Sequence, residues 1–189
     1  MMQQTNHYPV VARQGYRAIR LPYEVGALAM IIALPNDVDG LAEVAKRFDA
    51  NELSAVTAAL NATPAKLVAL AMPRFKISFM ANLKEVFKQL GLSEAFDERR
   101  ADFSGMTGRP ASEGSLRIDE IVHRAVIDVM EDGTEAAAAT AVIMAPKAAP
   151  HPQQPPQPEP FRVDHPFLYF IADRASGAVL FEGRIVDPR

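Results

Sequence analysis

Residues 146–160 read PKAAPHPQQPPQPEP, and seven of the fifteen are proline. Proline offers no N–H and pins φ near −65°, so this stretch is held to an extended, solvated, polyproline-like form. Whatever core the chain builds must come from the residues on either side, with this segment on the surface. Immediately before it stands EDGTEAAAATAV at 131–142, a run of small side chains. Alanine is the best helix former, so a helical turn is the local default. The run is shorter than the ~12–15 residues an isolated helix needs, it has no large apolar stripe, and it runs on to Pro146. Read as a strand, it puts Thr134, Ala136, Ala138 and Thr140 on one face and Glu135, Ala137 and Ala139 on the other. Such small groups need little room to slide between two strands, and Gly133 would serve as the hinge. The run reads as built to pass from an exposed loop into a sheet.

The flanks carry strand and helix patterns. YRAIRLPY (16–23) and ALAMIIALP (27–35) read as antiparallel strands joined tightly, the second apolar on both faces and so central. Leu41, Val44, Ala45 and Phe48 recur at helical spacing, and Asn51 is a candidate cap for a following helix with Leu53, Val56 and Leu60. KLVALAMPRFKIS (66–78) reads as one long strand in which Pro73 marks a bulge or an unbonded ladder position. Asn82 is placed to cap a helix with Leu83, Val86, Phe87 and Leu90 on one stripe, stopped at Gly91. LRIDEIVHRAVIDVM (116–130) alternates as a strand with Ile121, His123, Ala125, Ile127 and Val129 on one face. FLYFIA (167–172) and AVLFEGRIV (178–186) flank DRASG in a hairpin pattern. The sum is an α+β chain with long antiparallel strands and helices clustered between them.

Composition removes several function classes. Lys and Arg total 20 against 23 Asp and Glu, a net charge of −3, so no basic excess points to nucleic acid. There is no cysteine for disulfide or thiol chemistry. The apolar runs are too short to span a bilayer, which takes ~20 residues, and MMQQTNHYP lacks a signal-peptide pattern. The four histidines, at 7, 123, 151 and 165, show no metal-ligand spacing. No nucleophile motif such as G-x-S-x-G is present, so the chain reads as neither an enzyme nor a cofactor protein. Asn61-Ala-Thr63 is a formal glycosylation acceptor, followed by Pro64.

EDGTEAAAATAV resembles the hinge of the serpins, serine-protease inhibitors whose exposed reactive-centre loop inserts into a β-sheet after cleavage. MPRFKIS followed by LKEVFKQLGLSEAFDERRADFSGM is similar to a strand–helix–loop passage of that family. The eight-residue step from His123 to Glu131 matches its spacing, and DHPFLYFIADRASGAVLFEGRIVDP resembles its C-terminal signature. YRAIRLPYEVGALAMIIALP is similar to a mid-domain stretch, so the likeness runs through the chain. It implies a serpin-like α+β fold, with multi-strand antiparallel sheets, flanking helices and an exposed loop at about 131–160. It also implies an incomplete domain: everything here corresponds to the family's C-terminal half. The family tryptophan near the point of loop insertion belongs to the other half, in keeping with the absence of tryptophan.

Carried over by position, the resemblance makes Glu131, Gly133, Thr134, Glu135, Ala136, Ala137, Ala138, Ala139 and Thr140 the loop hinge. Counting sixteen residues on from Glu131 reaches Lys147, so Lys147–Ala148 is the expected reactive bond. Lys147 is also the only Lys or Arg between Arg124 and Arg162, which offers a trypsin-like protease a single target there. A loop one residue different in length would move the bond to Pro146 or Ala148. Glu131 resembles an acidic gate residue whose basic partner would be Arg74, and His123 matches a family histidine in the zone where the sheet parts. An ordinary surface ion pair and a satisfied strand histidine are the plain alternatives. The expected partner is a trypsin-like serine protease, with self-association through open sheet edges as a second interaction. The alternative function is a non-inhibitory serpin fragment, cleaved as a substrate or acting as a binding module. The family suggests an extracellular or cell-envelope location, on which the chain's own residues are silent.

Overall fold

The computed structural model describes residues 1–23, 27–108, 116–130 and 157–188. It divides into two compact units, one of Met1–Phe75 with Val129–Arg189 and the other of Lys76–Asp128.

The first unit holds two sheets. The five-stranded sheet has the order β10-β9-β4-β3-β2, all neighbours antiparallel, built from β2 (Val10–Arg13), β3 (Tyr16–Pro22), β4 (Leu28–Pro35), β9 (Phe167–Asp173) and β10 (Val179–Ile185). The expected central strand is central, and every residue of β4 after Leu28 is buried. Its unbroken apolar run follows from cover on both faces. On one side Ile31 and Ala33 join Leu168 and Phe170 beneath α1 (Leu41–Arg47) and α2 (Ala50–Ala62), which supply Val44, Val56 and Leu60. Phe48, just past α1, stacks on Phe170 with ring centroids 5.0 Å apart. On the other side Phe75 meets Phe167 and Tyr169, at 5.9 and 5.7 Å. The expected hairpin between β9 and β10 is present, and Gly177 takes the left-handed φ of +75° at its turn.

The cap expected at Asn51 is a correction. Asp49 caps α2 instead, its carboxylate accepting the Glu52 N–H at 2.8 Å, and Asn51 lies within the helix. Either residue type can cap; the backbone turns from extended to helical at Asp49. From the first turn of α2, Glu52 reaches back to β2 and β3. The Tyr16 hydroxyl donates to it at 2.6 Å, and Arg13 donates twice at 3.2 Å. These bonds, Tyr16 first and then Arg13, hold the Glu52 carboxyl below its usual range. Burial, more than any neighbour, pushes the Tyr16 hydroxyl well above its ordinary value. Asn61, the formal glycosylation acceptor, sits near the end of α2, where its carbonyl accepts from Arg20.

The three-stranded sheet has the order β1-β5-β8, with β1 (Met2–Tyr8) antiparallel and β8 (Glu159–Arg162) parallel to β5 (Lys66–Met72). The single long strand expected over 66–78 is therefore two. β5 ends at Met72 and β6 (Phe75–Asn82) begins after Pro73-Arg74, in a different sheet. Proline cannot donate to a ladder, and the chain uses that gap to leave one sheet for another.

The second unit pairs β6 with β7 (Val122–Val129) and carries α3 (Lys84–Gln89), a 3-10 turn at Glu94–Phe96 and α4 (Ser104–Thr107). The cap expected at Asn82 falls one residue later: Leu83 is the N-cap of α3 and offers no side-chain bond, while Asn82, the last residue of β6, accepts the Lys84 N–H at 3.0 Å from one position further out. Gly91 has a φ of +98° where the stop was expected. The stripe of α3 is not buried: Val86 and Leu90 stand 48% and 77% exposed. Among the described residues no helix is long and apolar enough to cross a membrane.

Candidate functional site

β7 is the strand that leads to residue 131. Its side chains alternate as expected: Ala125, Ile127 and Val129 are partly covered, while Val122, Arg124, Val126 and Asp128 are exposed. His123 shares the covered face by register but is itself exposed, its ring 6.5 Å from that of Phe79 on β6. Lys76 and Asp128 close one end of this pair at 2.8 Å, and the Leu83 N–H donates to the Ile121 carbonyl at 2.7 Å at the other. Among the described residues β7 has β6 on one edge and no strand on its second.

Arg74 is exposed in the break between β5 and β6. Its expected partner Glu131 lies outside the described residues. So do the rest of the hinge (Gly133, Thr134, Glu135, Ala136, Ala137, Ala138, Ala139 and Thr140) and the expected reactive bond Lys147–Ala148. Of the expected site residues, the described structure therefore contains His123 and Arg74.

Just before residue 131, Val129 and Met130 border a cavity of about 370 Å³ between the two sheets of the first unit. Met2, Met30, Leu70 and Met72 give it an apolar lining. Gln4 accepts from the Tyr8 hydroxyl at 2.6 Å, and its amide nitrogen is buried with no hydrogen-bond partner among the described residues.

Beyond residue 156, β8 and the residues after it are held by contacts that the sequence patterns had not singled out. Arg17 from β3 and Lys66 from β5 both pair with Glu159 at the start of β8, and they lower its carboxyl below the usual range, Lys66 foremost. Two residues past β8, Asp164 faces His165 at 2.9 Å, and the other ring nitrogen of His165 meets the Pro35 carbonyl at 2.7 Å. His165, with Arg162 at 3.2 Å, keeps the Asp164 carboxyl low. The only sequence cue to these contacts was the run DHPF. Ion pairs between residues so distant in the chain leave no periodic trace.

A family model described as Serpin (serine protease inhibitor) matches residues 1–188. The chain is 35% identical over 189 residues to an uncharacterized serpin-like protein of Thermococcus kodakarensis, covering 100% of this chain and 41% of that one. It is 35% identical over 190 residues to human Serpin B4, covering 100% of this chain and 46% of that one. Its fold is similar to that of uncleaved ovalbumin, with a TM-score of 0.78 and 30% identity over 99% of this chain and 47% of that chain. The chain thus spans less than half the length of each of these relatives. With the family model matched over residues 1–188 and the sequence and fold likenesses in agreement, this chain belongs to the serpin family.

Proposed function

We propose that this chain carries the bait segment of a serine-protease inhibitor, cut between Lys147 and Ala148 by a trypsin-like enzyme. The observation that carries the reading is the placement of a small-residue run, Glu131 to Thr140, directly after β7, in a chain matched by the family model throughout. The protease serine oxygen would attack the Lys147 carbonyl, and the peptide bond would break with Ala148 leaving as the amine. The ester-linked enzyme would then be carried along as residues 131–146 enter a sheet beside β7, a strand addition driven by new ladder bonds. About ten such bonds at ~1 kcal/mol each give on the order of 10 kcal/mol before the entropy of ordering the loop is subtracted. Glu131 and Arg74 would orient the hinge at the end of β7, and His123 would act where the strands part.

A specific observation favours a second reading for the chain taken alone. Among the described residues β7 has one neighbour, and the chain spans under half of its relatives. The strand on the far side of the inserting loop would have to come from elsewhere. Without it the bait is cut and the enzyme released, and open edges favour self-association.

Trypsin at near-equal molar ratio, read on a denaturing gel, separates the two. A stable band at the summed mass, lost in Lys147→Ala, supports trapping. Cleavage after Lys147 with full protease activity leaves the substrate reading. Survival of Lys147 while other sites are cut overturns both.

A further inference from the structure

Glu159, the first residue of β8, is gripped from two sheets at once. Its Oε1 accepts from Arg17 Nη2 on β3 at 2.6 Å, and its Oε2 lies 2.5 Å from Lys66 Nζ on β5. Arg17 does more than pair. Its Nη1 donates to the Pro160 carbonyl at 3.5 Å, and its guanidinium carbon stands 4.9 Å from the centre of the fully buried Phe161 ring. One side chain therefore touches three consecutive residues of β8. The strand needs such help: it runs for four residues, pairs with β5 alone among the described residues, and has no N–H at Pro160.

We propose that Arg17 and Lys66 form a salt-sensitive clasp on Glu159, holding β8 to its sheet and so fixing the carboxyl-side end of the bait segment. The link to the bait segment rests on the function proposed above; the attachment of β8 does not. All three charged groups keep between 35% and 44% of their surface in water. Their attraction is therefore open to screening, and the clasp can be loosened without unfolding the sheets beneath.

Hydrogen exchange on the full chain tests this, comparing the amides of residues 161–163 with those of β4 and β9. In Glu159→Gln, which keeps the shape and removes the charge, protection at 161–163 should drop about tenfold at 50 mM NaCl, with β4 and β9 unchanged. Arg17→Lys keeps the charge but loses the planar fork and the stacking, and should fall between Glu159→Gln and the native chain. At 1 M NaCl, where screening acts within ~3 Å, the native chain should approach the Glu159→Gln level. Native-like protection in Glu159→Gln, loss shared equally by β4 and β9, or a difference indifferent to salt would each overturn the clasp. Failure of the native chain to trap trypsin would bear on the bait reading alone.

Discussion

Gly183 on β10 faces Tyr169 on β9 as its direct cross-strand partner. Its φ is not in the left-handed region, so conformation does not demand glycine; space does. A Cβ at 183 would lie 2.5 Å from the Tyr169 Oη and 2.6 Å from its Cε1 and Cζ. Non-bonded carbon contacts sit near ~3.5–4.0 Å, so the ring would have to move by about 1 Å. Tyr169 is buried and already packs against Phe75, which leaves it little freedom to yield. Overpacking of this kind costs ~1–3 kcal/mol. Gly183→Ala should therefore lower the urea midpoint by about 1 M, with an m-value of ~1–3 kcal/mol/M, followed by circular dichroism. The mechanism itself is tested by Tyr169→Val, which removes the ring. In that background Gly183→Ala should cost almost nothing, giving a coupling of ~1–3 kcal/mol in a double-mutant cycle. A Gly183→Ala chain within 0.5 kcal/mol of the native one, or an equal cost in both backgrounds, would refute the argument.

Three further outcomes follow from other parts of the first unit. Leu60→Ala empties a fully buried position beneath α2 and should cost ~2–5 kcal/mol in the same urea assay. Asp49→Ala removes the carboxylate that accepts the Glu52 N–H and should cost ~1 kcal/mol, whereas Asn51→Ala should be close to neutral. Glu52 has a depressed carboxyl in the folded chain, so its contribution is present above the ordinary glutamate value of ~4.3 and is lost as pH falls through the lower folded value. Glu52→Gln should accordingly flatten the acid side of the stability–pH curve, and an unchanged slope would show that Tyr16 and Arg13 do not hold this group.

The strands β3, β4, β7, β9 and β10 were legible because alternation, or an unbroken apolar run between turn residues, is a local property of the chain. The same is true of the Gly91 stop and of the hairpin ahead of Val179. Three features were not legible from pattern alone. Asp49 and Asn51, two positions apart, are equally suitable caps for α2, and only the backbone path selects Asp49. The break at Pro73 looks like a bulge until β5 and β6 are assigned to separate sheets. β8 is a four-residue strand containing Pro160, and it becomes a strand only because β5 lies parallel beside it. The hinge and reactive bond rest on composition and family likeness, through residues 131–148 that lie outside the described structure.

The α+β class, the central place of ALAMIIALP and the family could be read from the chain directly. Each depends on residue chemistry or short-range spacing, which needs no knowledge of the rest of the chain. The extended segment expected over 146–160, by contrast, gives way to strand β8 at Glu159, its residues up to 156 lying outside the described structure. Tertiary structure alone decided that Arg17, Lys66 and Glu159 converge, that Glu52 ties α2 to Tyr16, and that Gly183 must leave room for an aromatic ring. Those are contacts between segments far apart in the chain. A salt bridge or a steric limit belongs to the pair that makes it, and neither partner carries a mark of the other until the sheets bring them together.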